Sequence, residues 1–240
     1  DDIKRMTGLE CKFSNDIKED KLFGIKKEEK IIQEVLSQIK EDEEKKLQRK
    51  NFEISRQNGI LLYGPPGNGK TELISQITKK ESLIFIKAES KDIIGHTSAN
   101  TLNSLDKIFT KALQLSKLCD DKEGVVIFFD EFDAICGPQM NSDVRATLLG
   151  KLADKEGIRS DDSKLIVVAA TNYYEALDEA TIRKGRFDVH VKIDNPEKQY
   201  AIEILKNLCE LEKLAVGYDI GKFYDDIKNI EFKNKNPNLS

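Results

Sequence analysis

The sequence predicts an α/β fold in which a mostly parallel sheet is sandwiched by helices and followed by a short helical segment. Three observations carry this. Five short apolar runs lie between residues 59 and 193: GILLYG, SLIFIKA, VVIFF, KLIVVAA and VHVKI. Most are apolar without alternation, the pattern of strands covered on both faces. Helical patterns separate the early runs, as in repeated strand–helix–strand units.

Taken in order, residues 1–30 are polar and show few periodic apolar positions. Residues 28–50 read as one helix, with Ile31, Ile32, Val35, Leu36 and Ile39 on one face and Glu41–Lys45 and Asp42–Lys46 as i,i+4 pairs. GILLYG (59–64) is a buried strand, and GKTELISQITKK begins a helix directly after it. SLIFIKA is the second strand. Residues 98–118 carry Leu102, Leu105, Ile108, Phe109, Ala112, Leu113 and Leu115, an amphipathic helix. The remaining three runs complete the sheet. After Pro196 only helical patterns remain, EKQYAIEILKNLCELEKL and then DIGKFYDDIKNI. We therefore expect a large domain over 1–195, with 1–21 as a lead-in, and a small helical domain over 196–240.

Composition narrows the classes. The chain has 240 residues, 39% hydrophobic and 34% charged, with a net charge of −4. That balance can build a core under a charged surface and gives no global attraction to nucleic acid or anionic membrane. The longest apolar runs are too short to span a bilayer. No secretory leader is legible. Cys11, Cys119, Cys136 and Cys209 share no metal-ligand spacing and read as buried thiols in a reducing, cytoplasmic setting. The chain opens on Asp1 and ends in NKNPNLS, so either end is expected to continue in a longer protein.

GPPGNGKT (64–71) fits the spacing G-x-x-x-x-G-K-[ST], after a strand and opening a helix. Such glycines let backbone N–H groups close around phosphate oxygens, and the helix N-terminus adds positive potential. Pro65, Pro66, Gly67, Asn68, Gly69, Lys70, Thr71 and Glu72 form the expected cradle. Lys70 would reach the β- and γ-phosphates and Thr71 would bind Mg²⁺. No N-K-x-D guanine signature occurs, which favours ATP. This makes the α/β sheet one of the P-loop NTPase class.

VVIFFDEFD (125–133) ends a strand in two acids. Asp130 can hold Mg²⁺ through its water shell. Glu131 is placed to orient and deprotonate a water. Asp133 reads equally as a helix-start carboxylate. LIVVAATN ends another strand in Thr171 and Asn172, and an Asn amide there can bond both a γ-phosphate and the attacking water.

LLYGPPGNGKT, IFFDEFDAI and AATNYYEALDEATIRKGRFD, in this order, resemble the AAA clade of AAA+ ATPases. The resemblance runs from about KLFGI (21–25) to the last helices. It implies ATP and Mg²⁺ as cofactors, Asn172 as the sensor of the γ-phosphate, and Gly24 and Ile25 in the adenine pocket. It makes Arg183 and Arg186 fingers that reach the γ-phosphate of a neighbour in a homo-oligomeric ring, a hexamer in the clade's pattern. The chain has seven Arg against thirty-two Lys, so two Arg three positions apart stand out against its usual choice of cation. The local alternative is ion pairing with Asp178, Glu179 and Asp188. The resemblance also implies a lid after Pro196 that is incomplete in this sequence.

Two departures follow, of which the first is Asn68, standing where the clade more often has Thr or another small residue, with little effect expected from its mainly backbone contacts. The clade's aromatic pore loop is matched by Ile93, Ile94 and Gly95, so an aliphatic grip on a threaded polypeptide stands against plain local packing. Tyr173 and Tyr174 follow Asn172 with an exposure that sequence alone does not set. His96 reads as solvated and His190 as structural. The leading functional reading is an ATP-hydrolysing motor domain that remodels or unfolds a protein client of unread identity. The alternative is an ATP-dependent assembly scaffold with little turnover. The acidic balance disfavours a nucleic-acid partner.

Overall fold

The structure, a computed structural model, describes residues 10–12, 17, 24–40, 43–52, 56–120, 123–160, 162–211 and 219–235. Its strands are β1 (Glu10–Lys12), β2 (Gly59–Tyr63), β3 (Ile84–Ala88), β4 (Val125–Phe129), β5 (Leu165–Thr171) and β6 (Val189–Lys192). They form one sheet in the order β1-β3-β4-β5-β2-β6. β2 to β6 are mutually parallel, as the unalternating apolar runs predicted, and β1 pairs antiparallel with β3. β1 is a correction to the reading of residues 1–30 as unpatterned. Three residues are too short for a period-2 signal, and the strand exists by pairing with the sheet edge.

The helices are α1 (Lys26–Ser37), α2 (Glu43–Asn51), α3 (Lys70–Lys80), α4 (Ser90–Ile93), α5 (Ser98–Leu118), α6 (Phe132–Cys136), α7 (Ser142–Leu152), α8 (Glu179–Ile182), α9 (Lys198–Leu211) and α10 (Ile220–Lys235). The single helix read over 28–50 is corrected to α1, a 3₁₀ turn at Gln38–Lys40 and α2. The apolar face ends at Ile39, which is buried and packs where a side chain at Gly124 would collide with it. Lys40 is tied to the carbonyl and carboxylate of Glu81. Tertiary anchoring at 39–40 thus tightens the backbone just where no further apolar residue continues the face. The pairs Glu41–Lys45 and Asp42–Lys46 involve residues outside the described set.

Both faces of the sheet are covered. Val125, Ile127 and Phe129 of β4 join Leu105, Phe109 and Phe132 in one cluster. Phe128, pointing oppositely, stacks with Phe85 at a centroid distance of 5.8 Å. Of the α5 positions named from sequence, Leu105, Ile108, Phe109 and Ala112 are buried and Leu102, Leu113 and Leu115 pack partly. α7 was not read from sequence, because Val144, Leu148, Leu149 and Leu152 leave a mixed pattern interrupted by Gly150. Among the described residues no helix is long and apolar enough to cross a membrane.

By contacts the chain divides into two units. One contains Asp1–Asp20 and Lys27–Asp194, the other Lys21–Lys26 and Asn195–Ser240. In the smaller unit α9 lies against α10, Lys198 pairs with Asp225 at 2.7 Å, and Gly24 meets the ring of Tyr200.

Two glycines should respond oppositely to alanine. A Cβ at Gly59 would stand 1.9 Å from the carbonyl oxygen of Arg186, whereas one at Gly150 in α7 meets nothing within 4 Å. Urea unfolding should show Gly59→Ala less stable by about 1–3 kcal/mol, the usual range for forced overpacking. Gly150→Ala should be more stable by about 0.5–1 kcal/mol, because a helix-interior glycine is entropically costly.

Candidate functional site

Parallel strands end on the same edge of a sheet. β2, β3, β4 and β5 therefore deliver their following residues side by side: the phosphate loop, Glu89–Ser90, Asp130–Glu131 and Asn172. The loop itself turns through left-handed glycines, Gly67 at φ 78° and Gly69 at φ 76°, with open space where each Cβ would be. A side chain there would fill the cradle and strain the backbone. α3 begins at Lys70 with no side-chain cap on its first turn, which leaves N–H groups for an anion.

Lys70 donates to the carbonyls of Gly64 at 2.9 Å and Pro65 at 2.8 Å and to Asn172 Oδ1 at 2.7 Å. All three partners are neutral oxygens. Burial pulls its ammonium below the usual lysine range, opposed by the charge of Asp130. A phosphate dianion would offer it a stronger partner than any of the three. Thr71 Oγ1 donates to Asp130 Oδ2 at 3.0 Å. A hydroxyl from the first turn of α3 and a carboxylate from the end of β4 are oxygen donors of the kind that suit Mg²⁺, so the residues fit that ion. Pro66 is exposed, Asn68 Nδ2 donates to the Ile193 carbonyl at 3.3 Å, and Glu72 accepts from Gln76 at 2.6 Å.

Glu131 is exposed and sits in the left-handed region at φ 51°, ψ 49°, where it turns the chain from β4 into α6. A non-glycine residue holds that conformation only against a cost of order 1–2 kcal/mol. Its carboxylate accepts from Ser90 Oγ at 2.8 Å. Asp133 lies in the first turn of α6 and accepts from Thr171 Oγ1 at 2.6 Å, while that oxygen accepts from the Tyr173 N–H at 2.9 Å. The β5 end that presents Asn172 is thereby tied to the helix that follows Glu131.

Sequence reasoning missed Ser90 and Lys87. Lys87 lies 2.6 Å from Glu89 and 3.9 Å from Asp130. Hydrogen bonds from Lys87 and then Lys91 hold the Glu89 carboxyl down at about 2. The available signal was their place at the end of β3, which matters only once β3 is known to adjoin β4.

Arg183 is exposed, and Arg186 donates to the Ala180 carbonyl. Burial first, and then the neighbouring Arg183, lower the guanidinium of Arg186 from its ordinary value. Neither forms an ion pair among the described residues. Asp188 instead pairs with Arg159 at 2.5 Å, and Asp178 with Arg145 at 3.7 Å. Two of the three acids of the local ion-pair alternative thus lie at ion-pair distance from other arginines, while the charge of Asp178 also acts on Arg186. Ile93 is fully buried in the main cluster, while Ile94 is exposed, so Ile93 packs locally rather than lining a loop. Gly24 (φ 73°) and Ile25 belong to the smaller unit. Leu22 and Phe23 lie outside the described residues.

A parallel sheet with a glycine loop, a Lys, a Thr–carboxylate pair and a strand-end Asn on one edge defines a P-loop nucleoside triphosphatase domain. The family model for the ATPase family associated with various cellular activities (AAA) matches residues 60–195, more than half of the chain, and the chain belongs to that family. It is 33% identical to a proteasome-activating nucleotidase of Methanopyrus kandleri over 91% of this chain and 49% of the relative. It is 34% identical to an AAA ATPase forming ring-shaped complexes of Corynebacterium glutamicum over 64% of this chain and 31% of the relative. Protein SAV of Sulfolobus acidocaldarius is 34% identical over 64% of this chain and 19% of the relative. The chain spans about half or less of the length of these relatives.

Removing the ammonium with Lys70→Met should weaken ATP binding about 10- to 100-fold by calorimetric titration, the equivalent of a hydrogen bond to a charged group at about 1.5–3 kcal/mol. A second test uses acid. Because the Glu89 carboxyl is depressed to about 2 from an ordinary 4.5, its stabilisation is full above pH 4.5 and fades as pH falls toward 2. Wild type should exceed Glu89→Gln in urea midpoint at pH 6, and the gap should narrow steadily as pH falls from 4.5 to 2.5.

Proposed function

We propose that the chain is an ATP-binding and ATP-hydrolysing motor domain that assembles into a homo-oligomeric ring, a hexamer, and couples hydrolysis to remodelling or unfolding of a protein client in the cytoplasm. The observation that carries this is the pairing of the phosphate edge with two arginines that form no ion pair among the described residues. The names of the relatives, a proteasome-activating nucleotidase and ring-forming ATPases, support the ring and the protein client.

In this reading Lys70 exchanges its carbonyl and Asn172 partners for β- and γ-phosphate oxygens. Thr71 and Asp130 hold Mg²⁺, which supplies charge neutralisation on those oxygens. Asn172, released from Lys70, orients the attacking water with its amide. Glu131 takes a proton from that water as its oxygen bonds to the γ-phosphorus. The bond from the γ-phosphorus to the bridging oxygen breaks, and ADP leaves with the negative charge. Arg183 and Arg186 of one subunit stabilise the charge spread over the neighbour's transferring group. Such fingers in trans are worth roughly 10³–10⁵ in rate, about 4–7 kcal/mol of barrier. Gly24 and Ile25 contact the base.

The buried Ile93 favours a second reading, an assembly scaffold that binds ATP and turns over little, because only Ile94 of the expected grip is exposed. One experiment separates the readings: ATPase rate per subunit against protein concentration, for wild type, Glu131→Gln, Arg183→Ala/Arg186→Ala and a mixture of the two variants. The motor reading expects a rate that rises with concentration, at least a 100-fold loss in each variant alone, and recovery on mixing. A concentration-independent rate with a normal arginine variant would remove the ring, and concentration-dependent assembly without turnover would leave the scaffold.

A further inference from the structure

The segment between α8 and β6 carries both arginines, and the residues that anchor it come from elements of the phosphate edge. Phe187 is 1% exposed, and its ring meets Phe132 edge-on at 5.2 Å, next in sequence to Glu131. The Asp188 carboxylate accepts from Arg159 at 2.5 Å, from the Asn58 N–H at 3.1 Å and from the Gly185 N–H at 3.0 Å. These two anchors fix the segment to the core.

A third anchor reaches the phosphate loop. Tyr63 is the last residue of β2 before Gly64, and its ring lies 4.4 Å, centroid to centroid, from that of Tyr174, two residues beyond Asn172. Tyr174 Oη stands 3.1 Å from His190 Nδ1, and His190 Nε2 stands 3.2 Å from the Phe187 carbonyl oxygen. Chemistry sets the direction of this chain. A carbonyl only accepts, so Nε2 carries the hydrogen. In a neutral imidazole Nδ1 then has only a lone pair, so the Tyr174 hydroxyl donates to it. Burial, with Tyr63 and Glu175 adding to it, raises the Tyr174 phenol above its ordinary value, so it keeps the proton it donates. The carbonyl at the far end belongs to the residue that follows Arg186.

We propose that Tyr174 is a positioning residue for Arg186: through His190 it holds the carbonyl of Phe187, the residue following that arginine, and ties it to the strand ends that present the phosphate loop and Asn172. A subunit's own nucleotide site is thereby connected to the arginines it offers to its neighbour. The proposal rests on the reading that Arg183 and Arg186 act on a neighbouring subunit's nucleotide.

Tyr174→Phe keeps the ring on Tyr63 and removes only the donated hydrogen. ATPase kinetics of Tyr174→Phe, wild type and Arg183→Ala/Arg186→Ala are compared, each alone and each mixed with an excess of Glu131→Gln subunits. Alone, Tyr174→Phe should lose about five- to tenfold in kcat with KM for ATP unchanged within twofold. In the mixture its own sites meet intact arginines from Glu131→Gln neighbours, and its rate should return to within twofold of wild type in the same mixture. A kcat equal to wild type in the unmixed protein would overturn the proposal. So would a loss that the mixture does not restore while the arginine variant is restored, since the defect would then lie in the subunit's own site. If the arginine variant is not restored either, the action in trans fails, and the proposal fails with it.

Discussion

Parallel pairing of β4 with β5 and of β5 with β2 is the constraint on which the site depends. Ile127 pairs with Val167 and Phe129 with Ala169, while Leu61 pairs with Ala169 and Tyr63 with Thr171. A slip of one residue in any of these would turn each side chain to the opposite face. Both faces of these strands are buried, so the core resists a slip through shape, since side chains of different size would land in slots packed for others. The register that buries them is the same one that sets Thr71 within 3.0 Å of Asp130 and Lys70 within 2.7 Å of Asn172. Hydrophobic packing thus supplies the precision that the polar edge needs, which is how a site on a rigid scaffold is preorganised.

Two kinds of cation in the large unit contrast. Lys70 and Arg159 are largely buried and are surrounded by fixed oxygen partners. Removing one member of a buried pair such as Arg159–Asp188 typically costs about 3–5 kcal/mol, since the other charge is left desolvated. Arg183 and Arg186 differ, because neither forms an ion pair among the described residues, although the charge of Asp178 reaches Arg186. A guanidinium that is not held by a carboxylate fork-to-fork keeps its planar donors for an anion from elsewhere. The contrast within six residues between an ion-paired aspartate and two arginines without an ion pair among the described residues separates what holds the segment in place from what it presents.

Hydroxyls link the elements of the edge. Ser90 joins the end of β3 to Glu131, Thr171 joins the end of β5 to α6, and Tyr174 joins the turn after β5 to His190 on β6. The bond to His190 has the modest worth of an ordinary hydrogen bond, about 0.5–1.5 kcal/mol, and the two to carboxylates about 1.5–3 kcal/mol. Their effect is geometric: each crosses between segments far apart in sequence, so a shift of one strand end is felt at the next.

The sequence by itself determined the sheet, most helices, the phosphate loop, Asp130 with Glu131, Asn172 and the peculiarity of the two arginines. These are local signals: an apolar run, a glycine spacing, or a residue type at a strand end is contained within a few positions. What only the tertiary structure decided depends on which strands are neighbours. β1 is three residues that become a strand by pairing with β3. The helix over 28–50 breaks where Ile39 and Lys40 are held by other parts of the fold. Ile93 looks available in sequence and is buried by α5 and α6, and Asp188 looks like a partner for Arg183 or Arg186 and belongs to Arg159. Burial and pairing are properties of three-dimensional proximity, and no periodicity within a single segment encodes which distant side chain will arrive beside it.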